Sequence, residues 1–234
     1  MQFAPALTEA RLLRRYKRFL ADMEIGGEVV TVHCPNPGSM MGLAEPGSRC
    51  WLTRRTGTKL PYCWELVEAT DPAGAALVGI HTGRANGVVA EGLLGGAFPG
   101  LPNAAIEREV KAGLASRLDF RLLDANGRAC WVEVKSVTLS RRPGLAEFPD
   151  ARTERGARHL AELAALVATG DRAVLLFLVQ RGDCSAMAPA ADVDPSYAAA
   201  LSLARAQGVE IRAFSCQISI SGIDPGPEIA FIQR

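Results

Sequence analysis

Three charged side chains on two neighbouring segments have the types and spacing that phosphodiester chemistry needs. Glu133 and Lys135 lie two residues apart in the stretch WVEVKSVTL (131–139), and Asp119 lies fourteen residues earlier in SRLDFRLL (116–123). Both stretches have the composition of strands, on which residues two apart share a face. A solvated strand face can carry a Glu-x-Lys pair without any function, so the position of Asp119 decides between the two interpretations.

The loop DANGR (124–128) joins the two strands, and its conformation sets their register. A two-residue Asn-Gly turn would pair Asp119 with Val134 and leave Asp119 on the wrong face. A three-residue loop with Gly127 in the left-handed conformation would instead pair Asp119 with Glu133. We expect the second register because it separates the charged residues from the apolar ones. The apolar residues that would then share one face are Leu118, Phe120, Leu122, Val132 and Val134.

Two carboxylates directly opposite each other repel, and a divalent cation between them would relieve the repulsion. Mg²⁺ prefers oxygen ligands and commonly takes one or two carboxylates together with waters and a substrate phosphate. We therefore predict that Asp119 and Glu133 bind Mg²⁺ or Mn²⁺. Lys135 could orient the attacking water or offset the charge of the transition state. Glu91, on an upstream helix, could complete the catalytic set.

Two kinds of element are expected to position these residues. About 80 N-terminal residues contain five short candidate strands separated by turns, which is typical of a small barrel or sandwich. After Gly83 the pattern becomes mixed α/β, with predicted helices and a buried strand. The N-terminal strands are Leu12–Met23, Glu28–His33, Arg49–Thr53, Trp64–Ala69 and Ala76–His81, with one of the turns at Asp71–Gly74. The later elements are helix Ala85–Leu94, strands Ile106–Val110, Ser116–Leu123 and Ala129–Thr138, a loop over 140–151, helix Thr153–Ala168, strand Ala173–Val179, helix Asp194–Gln207 and strand Val209–Ile220.

Composition restricts the class of protein. The chain has 234 residues, of which 48% are hydrophobic and 22% charged, and its net charge is +1, as in ordinary globular proteins. Its apolar runs are too short to span a bilayer and it shows no signal peptide, so we expect a cytoplasmic protein with no membrane association. Six cysteines without a C-x-x-C pair argue against a disulfide framework and a zinc site. The adjacent His33 and Cys34 have no nearby partners that would complete such a site.

The order helix, three strands, helix, strand, with Asp and Glu-x-Lys on successive strands, resembles the PD-(D/E)xK nuclease superfamily. Leu118 stands where that motif usually has proline. Over nearly its full length the chain also resembles the sugar fermentation stimulation protein A family. The stretches that carry this likeness are RYKRFLAD (15–22), HCPNPGSM (33–40), WELVEAT (64–70), the AN and E of ANGVVAEGLL (85–94), SRLDF (116–120), EVKSVTL (133–139), FPDARTERGARHLAEL (148–163) and GVEIRAFSCQIS (208–219).

This resemblance implies an α/β protein with an N-terminal OB-fold β-barrel over residues 1–83. A mixed-sheet, restriction-endonuclease-like α/β domain would follow over 84–234. It also implies binding of DNA, or of RNA, without marked sequence preference, and a regulatory role in sugar (maltose) metabolism. The family departs from this chain at Pro37, where it usually has Thr.

Further residues could contact a nucleic acid or support the site. A basic strip on the first strand could follow a phosphate backbone, or be no more than the rim of a barrel. The turn containing Asn36 could approach a phosphate or serve only as a tight turn. The start of the helix after Glu133 favours anions, and Thr153 is a plausible N-cap there. The nucleic-acid-binding candidates are Arg14, Arg15, Lys17, Arg18, Asn36, Arg155 and His159, and the supporting ones are Asp150 and Thr153.

Three functions are compatible with these residues. The first is a metal-dependent nuclease in which Asp119, Glu133, Lys135 and Glu91 are catalytic. The second is a non-catalytic DNA-binding regulator in which the acidic site is a relic. The third is a binder of a sugar phosphate or another small ligand, although the sequence has no glycine-rich phosphate loop to support it.

Overall fold

A closed barrel of five strands forms the first part of the protein, as expected. The computed structural model describes residues 1–71, 74–112 and 116–233. The third and fifth strands pair in parallel through His33 and Cys63. This pairing closes the barrel, so that each of its strands has two neighbours. The strands are β1 (Thr8–Tyr16), β2 (Leu20–Ile25), β3 (Glu28–His33), β4 (Arg49–Arg54) and β5 (Tyr62–Asp71), and β6 (Gly74–Gly79) pairs with β5 outside the closed ring.

The predicted strand Leu12–Met23 is in fact a hairpin of β1 and β2. The chain reverses between Tyr16 and Leu20, where Lys17 and Arg18 have φ values of +47° and +63°. Non-glycine residues adopt this left-handed conformation only at a cost, and no Gly or Pro marks the turn in the sequence. The predicted turn at Asp71–Gly74 has its centre, Pro72 and Ala73, outside the described residues.

A nine-stranded mixed sheet with helices on both faces forms the second part. The strand order is β10-β11-β13-β15-β14-β12-β9-β8-β7. The strands are β7 (Ala105–Ala112), β8 (Ser116–Leu123), β9 (Ala129–Val137), β10 (Leu139–Arg142), β11 (Leu145–Phe148), β12 (Arg172–Val179), β13 (Ala186–Pro189), β14 (Glu210–Ser219) and β15 (Gly222–Phe231). The helices are α1 (Arg84–Leu94), α2 (Glu154–Ala168) and α3 (Pro195–Ala206).

The central strand β12 lies parallel to β9 and β14 and is buried on both faces, as its continuous apolar run predicts. Helices α2 and α3 pack on one face of the sheet through residues such as Leu160 and Leu201, and α1 packs on the other through Val88. The predicted loop over 140–151 contains β10 and β11, and β15 follows the expected last strand. No helix within the described ranges has the length and apolar character needed to cross a bilayer. All six cysteines are buried and free.

The barrel and the α/β part share a packed joint. Trp51 and Leu66 of the barrel belong to the same apolar core as α1. The turn after β3 lies against the loop before α2, because the N–H of Met40 donates to Asp150 (3.2 Å). A Cβ at Gly38 would overlap the Asp150 carboxylate, so a larger residue there would have to displace the Asp150 side chain from this contact. The joint therefore fixes the turn containing Gly38 beside the start of α2.

Arg15 holds this turn from the barrel side. Its guanidinium donates to four backbone carbonyls, at 2.9 Å for three of them and 3.2 Å for the fourth. The carbonyls belong to Arg18, Asn36, Gly38 and Ser39. Arg15 therefore has a structural role, and its contact with a nucleic acid stays a prediction.

Replacement of Arg15 with Met should destabilise the protein by roughly 2 kcal/mol, because two partly buried and two exposed carbonyls lose a charged donor. The matched change Lys17→Met, at an exposed position of the same hairpin, should change the free energy of unfolding by less than about 0.5 kcal/mol. Urea denaturation of both variants measures the difference. Equal effects of the two substitutions would contradict the structural role of Arg15.

Candidate metal-dependent active site

The β8–β9 hairpin has the register that a three-residue loop predicts. Its ladder runs to the pair Phe120–Val132, and Gly127 in the loop has a φ of +77°. Asp119 follows at the end of this ladder, where one of its carboxylate oxygens accepts the N–H of Val134, the residue after Glu133. The hairpin therefore brings the two predicted metal ligands to the same end of the ladder.

Asp119 binds two groups that lie on different elements. One carboxylate oxygen accepts the backbone N–H of Val134 (2.8 Å), and the other accepts the side-chain amide of Asn86 on α1 (2.7 Å). Burial, with the negative charge of Glu133 as a second cause, raises the pKa of Asp119 to about 6. The carboxylate is thus ionised at neutral pH but carries its charge at a free-energy cost.

Leu118 departs from the predicted arrangement. Phe120 and Leu122 pack into the core under α1, as expected, but Leu118 packs into the core under α2. The hydrogen-bonded pairing of β8 with β9 ends at Phe120. Beyond it, the side chain of Asp119, rather than a backbone carbonyl, accepts the N–H of Val134. The two strands part at this point, and alternation along β8 is lost there.

Glu133 is a buried carboxylate with partners on one oxygen only. Its Oε1 accepts from Nζ of Lys135 (2.6 Å) and contacts Nδ1 of His159, while Oε2 is inaccessible and has no hydrogen-bond partner among the described residues. Burial acts to raise the pKa of Glu133, but the hydrogen bond from His159 and the charge of Lys135 outweigh it and lower the pKa. Glu133 therefore keeps its negative charge.

Helix α2 supplies His159 from the opposite side of Glu133. Nε of Arg155 donates to Nε2 of His159 (3.3 Å), so Nδ1 carries the proton that His159 directs at Glu133. Thr153 is the N-cap of α2, as predicted, with its hydroxyl accepting the N–H of Gly156 (3.1 Å). The cap thus sets where α2 begins, and with it the side of the helix from which His159 reaches Glu133 on β9.

The donor set suits a hard divalent cation. The two carboxylates lie close enough for the charge of Glu133 to raise the pKa of Asp119, and the unpartnered Oε2 of Glu133 is the kind of buried oxygen that a metal ion satisfies. Asp119 and Glu133 would leave the remaining coordination positions to water and to substrate, as is usual for Mg²⁺. Nζ of Lys135 donates to Oε1 of Glu133 (2.6 Å) and lies 3.4 Å from Nδ1 of His159, and the ion pair with Glu133 keeps the ammonium group at the site.

The structure does not bring Glu91 to this group. Its exposed carboxylate pairs with the N-terminal amine of Met1 (2.7 Å). Asn86 of the same helix contacts Asp119, and five residues further along an α-helix the side chain points about 140° away. Asn86 is the residue that the sequence reasoning missed, although the Ala-Asn pair was among the stretches that carry the family resemblance.

Of the other predicted nucleic-acid contacts, some are already occupied and some are exposed. Arg14 forms an ion pair with Asp22 (2.8 Å), and the side-chain amide of the buried Asn36 donates a hydrogen bond to the carbonyl of Ile80 (3.1 Å). Lys17 and Arg18 are exposed in the β1–β2 turn. The role of each of these residues in nucleic-acid binding stays a prediction.

A groove with a volume of about 350 Å³ lies between the barrel and the α/β part. The exposed Arg18 of the barrel and the exposed Arg152 of the loop before α2 line it from its two sides. Ser136 and Thr138, from the segment that carries Lys135, also line this groove, as does Asp150. Arg152 was not among the predicted residues, because nothing in its neighbours distinguishes it from a surface arginine.

Comparisons with known proteins agree on one family. Residues 13–80 match the family model described as "SfsA N-terminal OB domain", and residues 83–222 match "Sugar fermentation stimulation protein RE domain". A "Sugar fermentation stimulation protein homolog" of Azorhizobium caulinodans is 49% identical over 228 residues, which cover 96% of each chain. The homolog of Methylobacterium radiotolerans is 47% identical over 235 residues and 99% of each chain.

A solved structure shows the same fold. The protein described as Pyrococcus furiosus SfsA in complex with Ca²⁺ is 29% identical and superposes with a TM-score of 0.86, covering 99% of this chain and 98% of its own. The likeness therefore extends over the barrel and the α/β part together.

The ionised Asp119 should destabilise the metal-free protein at alkaline pH. The raised pKa means that the folded state holds the proton more tightly than the unfolded chain, a contribution to stability that is present below pH ~4 and is lost as the pH rises through about 6. Asp119→Asn removes the charge, and its amide can serve Val134 and a rotated Asn86. The variant should therefore be more stable than the wild type by roughly 1–3 kcal/mol at pH 8 and nearly equal at pH 4.

Denaturant unfolding in the presence of a chelator, repeated from pH 4 to pH 8, measures this difference. Glu133→Gln is the matched control, because the pKa of Glu133 is lowered and the loss of its charge should destabilise at pH 8. A destabilised Asp119→Asn protein at pH 8 would show that the Asp119 carboxylate is not strained.

Proposed function

The chain belongs to the sugar fermentation stimulation protein family, and from its geometry we propose that it hydrolyses phosphodiester bonds of DNA with a divalent metal ion. The observation that carries this proposal is the pair Asp119–Glu133, with an unpartnered buried oxygen on Glu133 and the ammonium group of Lys135 beside it. A hard cation and a positioned lysine are what hydrolysis of a phosphodiester requires. The regulatory role in maltose metabolism stays a prediction from the family resemblance.

Asp119 and Glu133 would hold Mg²⁺ or Mn²⁺, and the related Pyrococcus furiosus structure with Ca²⁺ supports a divalent site in this family. The ion would supply Lewis-acid polarisation of the phosphate and a more acidic bound water. Asn86 keeps Asp119 in place by donating to it, so the carboxylate need not reorient when the ion binds.

Lys135 is the group that acts on the reacting atoms in this proposal. Its three donors reach beyond Glu133, so that it can orient the attacking water and offset negative charge as the phosphate becomes five-coordinate. His159 does not need to touch the substrate. It holds Glu133 in its orientation, while Arg155 fixes the tautomer of His159, and both are therefore positioning residues.

DNA would lie along the groove between the barrel and the α/β part. Arg18 and Arg152 line the groove from two sides and can each neutralise a phosphate. Backbone contacts of this kind carry no sequence information, which fits the predicted lack of sequence preference. Ser136, the residue after Lys135, also lines the groove, so the phosphate backbone would pass along the strand that carries Lys135.

Cleavage of plasmid and single-stranded DNA should require Mg²⁺ or Mn²⁺ and should fall by at least ~10²-fold in Lys135→Met and in Glu133→Gln. Glu91→Gln is the control, because the structure places Glu91 on another side of α1, and it should cleave like the wild type. Initial rates of nicking, measured on proteins with equal thermal midpoints, test the prediction.

Absence of cleavage of any DNA or RNA across both metals and from pH 6 to 9 would refute the nuclease proposal. Salt-sensitive DNA binding in the same preparation would then favour the non-catalytic regulator. Equal loss of activity in Glu91→Gln would show that the catalytic set has been assigned to the wrong face of α1.

Removal of one phosphate contact should also change the salt dependence of DNA binding. We expect Arg152→Ala to weaken binding and to reduce the slope of log K against log salt by about 0.9. Arg54→Ala, at an exposed barrel position outside the groove lining, should leave the slope unchanged. Fluorescence anisotropy at four or more salt concentrations gives both slopes, and identical slopes would exclude Arg152 from the DNA path.

A further inference from the structure

A second group of metal-ligating side chains lies at the joint between the barrel and the start of α1. The thiol of Cys63, a carboxylate oxygen of Glu65 and an imidazole nitrogen of His81 lie within 4.8 Å of one another. All three line a cavity of about 250 Å³, which the exposed Arg55 borders and which is therefore reachable from solvent. This group shares no residue with the Asp119–Glu133 site.

A β-bulge gives Glu65 its position. On β4, Trp51 pairs with Leu66 and the next residue, Leu52, pairs with Trp64, so Glu65 is skipped in the ladder. A bulge of this kind redirects a side chain and is frequent beside functional sites. The backbone carbonyl of Glu65 accepts the N–H of Ile80 (2.9 Å), which brings the segment containing His81 alongside it.

His81 offers a free ligand atom to this cavity. Its Nδ1 is inaccessible to solvent and has no hydrogen-bond partner within the described part of the chain. Its ring lies over Gly83, where a Cβ would come within 3.1 Å of Cε1, so glycine leaves the space that the ring occupies.

Glu65 keeps one accepting position open. Its Oε1 accepts from the hydroxyl of Thr53 (2.8 Å) and from Arg84 (2.7 Å), and its Oε2 accepts from Arg84 (3.0 Å). A carboxylate has about four lone-pair positions, so one on Oε2 remains. Arg84 and Thr53 would act as the outer partners that orient a ligating carboxylate.

We propose that Cys63, Glu65 and His81 bind a zinc ion. A thiolate sulfur, an imidazole nitrogen and a carboxylate oxygen form the mixed donor set that Zn²⁺ accepts, whereas Mg²⁺ and Ca²⁺ need more oxygen ligands. The thiol proton of Cys63 passes to solvent when the metal binds. His33, the residue paired with Cys63 across β3 and β5, lines the same cavity, and His33 or a water would supply the fourth ligand.

The position of the site gives it a structural role. Cys63 and Glu65 belong to the barrel strand β5, whereas His81 immediately precedes α1. An ion bound to all three would clamp the barrel to the start of α1. Because Asn86 on α1 contacts Asp119, the clamp would also fix one partner of the candidate active site.

Titration of the metal-free protein with Co²⁺ tests the proposal directly, because a thiolate–cobalt charge-transfer band appears only when a cysteine is a ligand. The wild type should show this band and should retain about one Zn²⁺ per chain after gel filtration. Cys63→Ser should abolish the band, and His81→Gln should weaken metal binding by at least ~10-fold. Circular dichroism and the thermal midpoint of each metal-free variant confirm that it is folded.

Cys184→Ser is the matched control, since Cys184 and Cys63 are each 5% exposed and only Cys63 belongs to the cluster. This variant should bind Co²⁺ and Zn²⁺ like the wild type. A folded wild type that gives no charge-transfer band and retains no zinc would overturn the proposal. Zinc that survives Cys63→Ser but is lost in Glu133→Gln would also overturn it, by assigning the ion to the other site. Neither result depends on whether the protein cleaves DNA.

Discussion

The buried carboxylate of Glu133 is the group on which the arrangement of the α/β part depends. An isolated buried charge costs several kcal/mol, so the fold must provide partners for it. Lys135 comes from the same strand, but His159 reaches Glu133 only if α2 starts at the right residue and in the right phase. The Thr153 cap sets that start, and Asp194, the cap of α3, in turn binds the backbone N–H of Thr153 (2.8 Å).

The two carboxylates of the site differ because their surroundings differ. Cationic and hydrogen-bonding partners lower the pKa of Glu133, whereas burial raises that of Asp119 to about 6. Environments that push two pKa values apart are typical of sites where charge is used in chemistry. At neutral pH the pair carries more negative charge than its single lysine offsets, and a divalent cation is the species that would balance it.

The features that the sequence predicted correctly rest on short-range constraints. Loop length and alternation fix the register of the β8–β9 hairpin, and an apolar run identifies β12. The features that the sequence did not predict are those that depend on tertiary contacts. The phase of α1 relative to β8 determines that Asn86, rather than Glu91, meets Asp119, and no local pattern encodes it. The left-handed Lys17–Arg18 turn and the four-residue strands β10 and β11 likewise form in segments too short to give a periodic signal.

The Cys63–Glu65–His81 cluster is a further feature that tertiary contacts create and that no local sequence pattern encodes. The spacing of the cysteines along the chain predicts no zinc site, because such spacing relates only residues that are close in sequence. The parallel closure of the barrel, the bulge at Glu65 and the path of the chain into α1 bring the three side chains together instead. These same connections place the barrel turn at Gly38 against Asp150 beside the groove. Because one joint supports both the groove and the cluster, a change in the barrel can alter the candidate active site without touching its ligands.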